Sequence, residues 1–445
     1  DRAKSTGARK AEAKALRLLG DLSRIRGDVD EGRSLLEQAL EIAREIGDRQ
    51  EEAEGLRSHG LADLFQGRLE SAPIWFRQAL ARYRDLDDRR GQGWCLVNLG
   101  WVDLLLGKLD SANASLEEAL QIFSELGDAE GAGWSLGLRA WVLLFEGRLA
   151  DAAMLERQIE SAVVQDRQRA PRGMGGFGWA IGRVLLAFVS LGSARLNETI
   201  ELSRQGLEMF EESDAVWGLA MARFPLGIAT MMRMQFDEAR EIFEEARREA
   251  DRSSDPMVKS LTGYGAALVA FVQGDLDLAD RLGDESMRIT ESTGVSWISD
   301  IPGRTLKAEI LRARGRLDEA IRVLKAPALG PTGLYEEARA VATLADVLCD
   351  LGRHEEAIEA ARSGIAGAGE DVLGNAWCHR SLARSLKLAG RPAEAERALR
   401  EELELLAESD WDEERLEIHA LLAAVLDDQK RYDESAIALD EARAI

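Results

Sequence analysis

A short turn signal returns along this chain at a nearly constant interval, and no other feature restricts its fold as much. It reads GDVDEG at Gly27, GRLESA at Gly67, GKLDSA at Gly107 and GRLADA at Gly147, 40 residues apart each time. The pattern stretches at Gly192, then returns as MQFDEA at Met234, GDLDLA at Gly274, GRLDEA at Gly315, GRHEEA at Gly352, GRPAEA at Gly390 and KRYDES at Lys430. Eleven such turns in 445 residues describe a stack of similar units, each needing its neighbours to bury its apolar face.

The unit is clearest from Gly91 to Asp128. A first helix, Gln92 to Leu106, is apolar almost all round, with only Asn98 and Asp103 interrupting. Such a helix must be covered on every side. Gly107 can take the left-handed conformation that ends it, and the acidic residue that follows suits the start of a second helix. Small residues hold the pair together. Seven positions before the turn stand Gly20, Gly60, Gly100, Ala140, Gly227 and Ala267, with Leu185 as an exception. Five positions after it stand Gly32, Ala72, Ala112, Ala152, Ala239 and Ala279, and a third small site recurs at Ala39, Ala79, Ala119, Gly206 and Ala246. Small side chains at fixed points on both helices are what close antiparallel crossing demands.

Gly or Ala, then Ala, then Ala at these offsets resembles the tetratricopeptide repeat (TPR), and the resemblance covers nearly the whole chain. HEAT repeats lack this small-residue triplet, and WD40 repeats would show strand alternation, which is absent. The resemblance implies an all-α, right-handed superhelical α-solenoid of about eleven helix pairs. The units are longer than the usual TPR, with LGD-like joints at Ile46-Gly47-Asp48, Leu86-Asp87-Asp88 and Leu126-Gly127-Asp128. In that respect they are similar to the repeats that follow the ATPase module in bacterial STAND-type regulators, LuxR-type proteins among them. We expect one continuous solenoid in two parts: repeats one to seven over residues 1–289, and a soft joint with repeats eight to eleven over 290–445. The joint, Thr290 to Leu334, holds Pro302, Pro327 and Pro331, and a basic, glycine-rich loop is expected at Gln165 to Gly178.

The same resemblance implies that the first helices line a concave groove, with residues thirteen, ten, six and three before each turn facing inward. In repeats three to seven this stripe is apolar and aromatic. It contains Trp94 and Trp101, Trp134 and Trp141, Trp179, Met221 and Phe224, and Tyr264 and Phe271. At the ends it is charged, as in Lys14, Arg17, Asp21 and Arg24. Two readings stand side by side: a groove for a ligand or partner, or a superhelix wound tightly enough to bury the stripe against itself. Arg139, Arg183 and Arg223 lie inside otherwise apolar helices and need partners. They are either ion-paired to the second helices or form a receptor for an anion.

No catalytic set emerges, so the chain is not expected to be an enzyme. GMGGFG at Gly173 to Gly178 matches G-x-G-x-x-G but lacks the preceding strand the dinucleotide fingerprint needs. No Walker-type P-loop is present, and the four histidines are scattered. No metal or cofactor is expected. A net charge of −23 argues against a nucleic-acid surface. The apolar run from Trp179 to Leu191 is too short to span a bilayer, so no membrane partner is expected either. Three separated cysteines fit a reducing cytoplasm. The function these features imply is recognition: a sensor or regulatory region of a larger STAND-type signalling protein, with an ATPase or effector domain elsewhere in the polypeptide. The groove would then receive a protein, peptide or small-molecule effector. The alternative is a free-standing scaffold that holds a partner's segment.

Overall fold

In several repeats an aspartate caps the first helix, whereas Ala215 and Trp411 stand at that position in two others. In the computed structural model, Asp48 accepts from the Glu51 amide (3.1 Å), Asp88 from Gly91 (2.9 Å), Asp128 from Gly131 (3.1 Å) and Asp371 from Gly374 (3.0 Å). These bonds satisfy donors the helix itself leaves orphaned. The residue before the cap ends the preceding helix in the left-handed region, at φ 68° for Gly47, 66° for Gly127 and 55° for Asp87. The LGD joint is therefore a C-cap followed at once by an N-cap.

The structure describes residues 2–152, 154–155, 176–212, 215–253, 255–291, 296–327 and 335–445. The helices run α1 (Arg2–Arg26), α2 (Val29–Ile46), α3 (Arg49–Phe65), α4 (Ala72–Asp85), α5 (Arg89–Leu105), α6 (Leu109–Leu126) and α7 (Ala129–Phe145). They continue as α8 (Gly176–Gly192), α9 (Leu196–Glu211), α10 (Val216–Met232), α11 (Phe236–Ser253), α12 (Pro256–Val272), α13 (Leu276–Glu291) and α14 (Ser296–Ala313). The chain closes with α15 (Leu317–Leu324), α16 (Tyr335–Asp350), α17 (His354–Ala368), α18 (Val372–Leu388), α19 (Pro392–Leu405), α20 (Asp412–Asp428) and α21 (Tyr432–Ala444). Helix pairs pack on their neighbours in sequence order, as a superhelical α-solenoid requires.

The small sites exist because large side chains occupy the space beside them. A Cβ on Gly60 would lie 2.4 Å from the Phe76 ring, one on Gly100 2.7 Å from Leu116, and one on Gly227 2.6 Å from Phe243. A second set joins one repeat to the next. Cβ atoms on Gly91, Gly131 and Gly218 would lie 2.3, 2.4 and 2.3 Å from the rings of Tyr83, Phe123 and Phe210. All of these rings are fully buried.

One turn sits two residues from where the sequence suggested. α8 runs on to Gly192, and the left-handed residue is Ala194, φ 55°. Its amide donates to the Leu191 carbonyl at 2.9 Å, as Gly107 does to Leu104. Ala187 then takes the small position and the exception at Leu185 disappears. Gly176 to Gly178 belong to α8 rather than to a loop, while 165–175 lie outside the described residues. Of the expected joint, 292–295 and 328–334 also lie outside them.

The superhelix is wound so tightly that successive turns touch. Asp410, between α19 and α20, accepts from the amides of Leu196 and Asn197 at 2.5 and 2.8 Å. Glu370 accepts from the Ala150 amide at 2.9 Å. A Cβ on Gly27 would fall 1.7 Å from the Arg252 carbonyl oxygen. The bonded pairs are 213 to 220 residues apart, roughly five and a half units of the 40-residue repeat per superhelical turn.

Candidate binding chambers on the inner face

Close winding decides what the inner stripe becomes. Trp217, at the start of α10, lies over the ends of α3 and α5, with ring centroids 5.6 Å from Phe65 and 5.5 Å from Trp101. Its indole N–H donates to Asp255 at 2.9 Å. Asp255 also caps α12 by accepting from the Met257 and Val258 amides. Burial raises the Asp255 carboxyl to about 6, against the pull of those donors. This contact bridges the inner face from α10 to α3 and α5, and that face also holds cavities.

The first cavity, about 460 Å³, lies among α1, α3, α5 and the start of α7. Its walls include Phe65, Trp94, Trp101, Trp134, Arg24 and Arg57. Trp94 is half-buried, with its ring 5.2 Å from Phe123. Trp101 and Trp134 are 4% and 7% exposed, their rings 5.3 Å apart. The second cavity, about 290 Å³, is walled by Phe224, Tyr264, Phe271, Arg339, Trp377 and Trp411, among others. Arg339 donates to the Tyr264 hydroxyl and to Glu309, both at 3.0 Å, and lies 5.4 Å from the Trp377 ring centre. Volumes of this order suit small ligands or single side chains.

The stripe expected from the sequence is thus divided. Trp94, Trp101 and Trp134 go to the first cavity, and Phe224, Tyr264 and Phe271 to the second. Trp141 is buried between Phe145 and Phe188, with centroids at 5.9 and 5.3 Å, and Met221 is 2% exposed. The Ala194 turn moves the stripe of repeat five to Ile181, Val184, Phe188 and Leu191. Phe188 stacks on Phe224 at 5.6 Å, and Leu191 reaches the second cavity. The Trp179 side chain lies outside the described residues.

The three helix arginines face second helices. Arg139 donates to Asn113 at 3.1 Å, and Arg183 donates to Gln205. Arg223 donates to both oxygens of Glu249 at 2.7 and 2.8 Å and pairs with Glu245 at 3.2 Å. Burial raises Glu249 to about 7 despite Arg223. Arg223 therefore makes the ion pair of the plainer expectation. Among the described residues no cluster of His, Cys, Asp or Glu is arranged to hold a metal, and no helix is long and apolar enough to cross a membrane.

Sequence reasoning missed Trp217, which lies before the stripe begins. It saw Asp21 and Arg24 only as terminal charges and Asn98 only as a break in an apolar helix, and passed over Tyr83; the meaning of all four depends on what packs around them.

With this geometry in place, family comparison agrees on the repeat. A model described as tetratricopeptide repeat matches residues 11–85 and 74–125, and a second with the same description matches 302–326 and 376–401. The chain carries tetratricopeptide repeats. No curated protein matches the TPR chain by sequence. Among solved structures it is similar to one titled "Human IFIT1 dimer with m7Gppp-AAAA", at 16% identity and a TM-score of 0.45. That similarity covers 88% of this chain and 89% of that one.

Proposed function

We propose that this TPR solenoid is a non-catalytic recognition region whose two inner chambers receive a protein segment, peptide or small-molecule effector. The observation that carries this reading is the pair of cavities, each walled by partly buried aromatic rings together with arginine and carboxylate side chains. Aromatic faces with a few placed polar groups are the usual make-up of a ligand site. The setting we favour is the sensor or regulatory part of a larger STAND-type signalling protein. An ATPase module encoded in the same reading frame supports that setting, and a frame encoding repeats alone supports a free-standing scaffold.

Binding itself is tested by a thermal-shift screen of peptides and small molecules against the wild type, followed by titration of each hit. Trp94→Ala and Phe271→Ala truncate one half-buried wall residue in each chamber. For a hit in its own chamber, each substitution should cost about 2 kcal/mol, or some thirtyfold in Kd. Hits whose affinity neither substitution changes would refute the reading.

Signal transfer follows from the same architecture. A ligand spanning neighbouring repeats favours the curvature that brings them closest, and shifts it only by its differential affinity. In this scheme the last four repeats move about the joint at 290–334. The bonds from Asp410 to α9 and from Arg233 to Asp410 and Glu413 must then open or hold as a set. Unchanged hydrogen exchange across 290–334 on effector binding would rule this transfer out.

A further inference from the structure

The first chamber contains a group of polar atoms without partners. Tyr83, Asn98 and Trp101 are 0%, 4% and 4% exposed, and the Tyr83 hydroxyl, Asn98 Nδ2 and Trp101 Nε1 make no hydrogen bond. Arg24 Nε and Asp21 Oδ1 are likewise buried and unpartnered. All five residues line the same cavity. Buried polar groups are nearly always paired, so five in one wall mark a place where another molecule's atoms belong.

Their chemistry is one-sided. Arg24, Asn98, Trp101 and Tyr83 offer donors, while Asp21 Oδ1 alone offers only an acceptor. The carboxylates of the wall are already engaged. Asp21 Oδ2 accepts from Ser58 at 2.9 Å and faces Arg17 at 3.6 Å, Glu54 accepts from Arg57 at 3.3 Å, Asp88 caps α5, and Glu130 faces Arg90 at 3.9 Å. Arg90 also bonds Asp128 at 2.6 Å. Among the described residues, the Arg24 side chain has no hydrogen-bond or ion-pair partner. Its guanidinium lies 4.8 Å from the Phe65 ring centre. Burial presses its pKa below the usual guanidinium range, Asp21 opposes this, and neighbouring Arg57 adds to it. An anion seated at Arg24 would relieve that arrangement.

The remaining walls are rings, those of Phe65, Trp94, Trp101 and Trp134. Trp217 packs on Trp101 with ring centroids 5.5 Å apart, and a cavity of about 460 Å³ suits a small ligand better than an extended chain. We propose that the first chamber is a receptor for a small planar ring-bearing carboxylic acid, with its carboxylate at Arg24 and its ring among the tryptophans. This deepens the recognition reading above and rests on it.

The test is calorimetric titration of the whole chain with 2-naphthoate and indole-3-carboxylate, their carboxamides, acetate, inorganic phosphate, and a short peptide with a free or amidated C-terminus. The ring acids should bind, and the carboxamides should bind at least tenfold more weakly. Arg24→Gln should lose at least tenfold for the acids while Arg24→Lys keeps part of the affinity, with thermal melts confirming that both fold. Equal affinity for acid and amide, or an unaffected Arg24→Gln, overturns the assignment. So does binding of only acetate or phosphate, only the peptide, or none of the probes. Acid binding lost in Phe271→Ala but kept in Arg24→Gln would also overturn it, while leaving the broader recognition reading intact.

Discussion

Replacing Gly91 with alanine should destabilise the protein although it lies inside a helix. In an unhindered helix interior the change from glycine to alanine gains about 0.5–1 kcal/mol, because alanine loses less backbone entropy. At position 91 the new Cβ would stand 2.3, 2.4 and 2.6 Å from three atoms of the Tyr83 ring. Real contacts of this kind begin about 1 Å farther out. Tyr83 is fully buried, so its ring has no solvent to turn into, and the Gly91 amide is held by Asp88 at 2.9 Å. Overpacking of this kind costs about 1–3 kcal/mol, so the net loss should be roughly 1–2 kcal/mol after the helix gain. Gly367 supplies the control, since nothing lies within 4 Å of its Cβ position and it too is helical. Gly367→Ala should raise the melting temperature and Gly91→Ala should lower it. Tyr83→Leu should offset part of the Gly91→Ala loss in a double-mutant cycle. The same sign for both alanines would refute the packing account of the small-residue positions.

Other consequences follow from particular contacts. Asp410→Ala removes two charge-assisted bonds to helix-start amides and should cost about 1–3 kcal/mol; hydrogen exchange should show faster exchange at Leu196 and Asn197, and unchanged rates would contradict the winding. Ala194→Gly relieves a left-handed alanine at φ 55° and should stabilise by about 1 kcal/mol, read as a higher melting temperature, whereas a lower one would deny the strain. Glu249 has a folded pKa of about 7, above its ordinary value of 4.5, so its contribution is fully present below pH 4.5 and lost as pH rises through 7. Melting temperatures of the wild type and Glu249→Gln across that window should show a fall with pH that is shallower in the variant; parallel profiles would refute the shift.

The helix pairs were legible because each depends on residues within one repeat: a turn glycine, an acidic cap and a small site at fixed offsets. The turn at Ala194 was misplaced because Gly192, two residues earlier, carries the stronger local signal. Arg195-Leu196-Asn197-Glu198 does align with the other turns, and Gly206 stands twelve residues after Ala194, as Ala119 does after Gly107. What could not be read was the winding. Its contacts join segments 213 to 225 residues apart, the last being Gly27 and Arg252, and use an aspartate in one place, a glutamate in another and a backbone carbonyl in a third, with no repeating signature. The stripe named the right tryptophans for the first chamber, but Trp217, which packs on Phe65 and Trp101, lies outside that stripe. Arg24 stood in the pattern as one more terminal charge, and only the packing around it shows that its side chain is buried without a hydrogen-bonded partner.

The central claim is that touching superhelical turns divide the inner face into two separate chambers. Hydrogen exchange of the whole chain, with and without saturating 2-naphthoate, tests it most directly. The account predicts added protection in α1, α3 and α5, around Asp21 to Arg24, Glu54 to Phe65 and Trp94 to Trp101, with α12, α16 and α18 unchanged. Protection running unbroken from α5 through α10 into α12 would mean one continuous groove, and would contradict it.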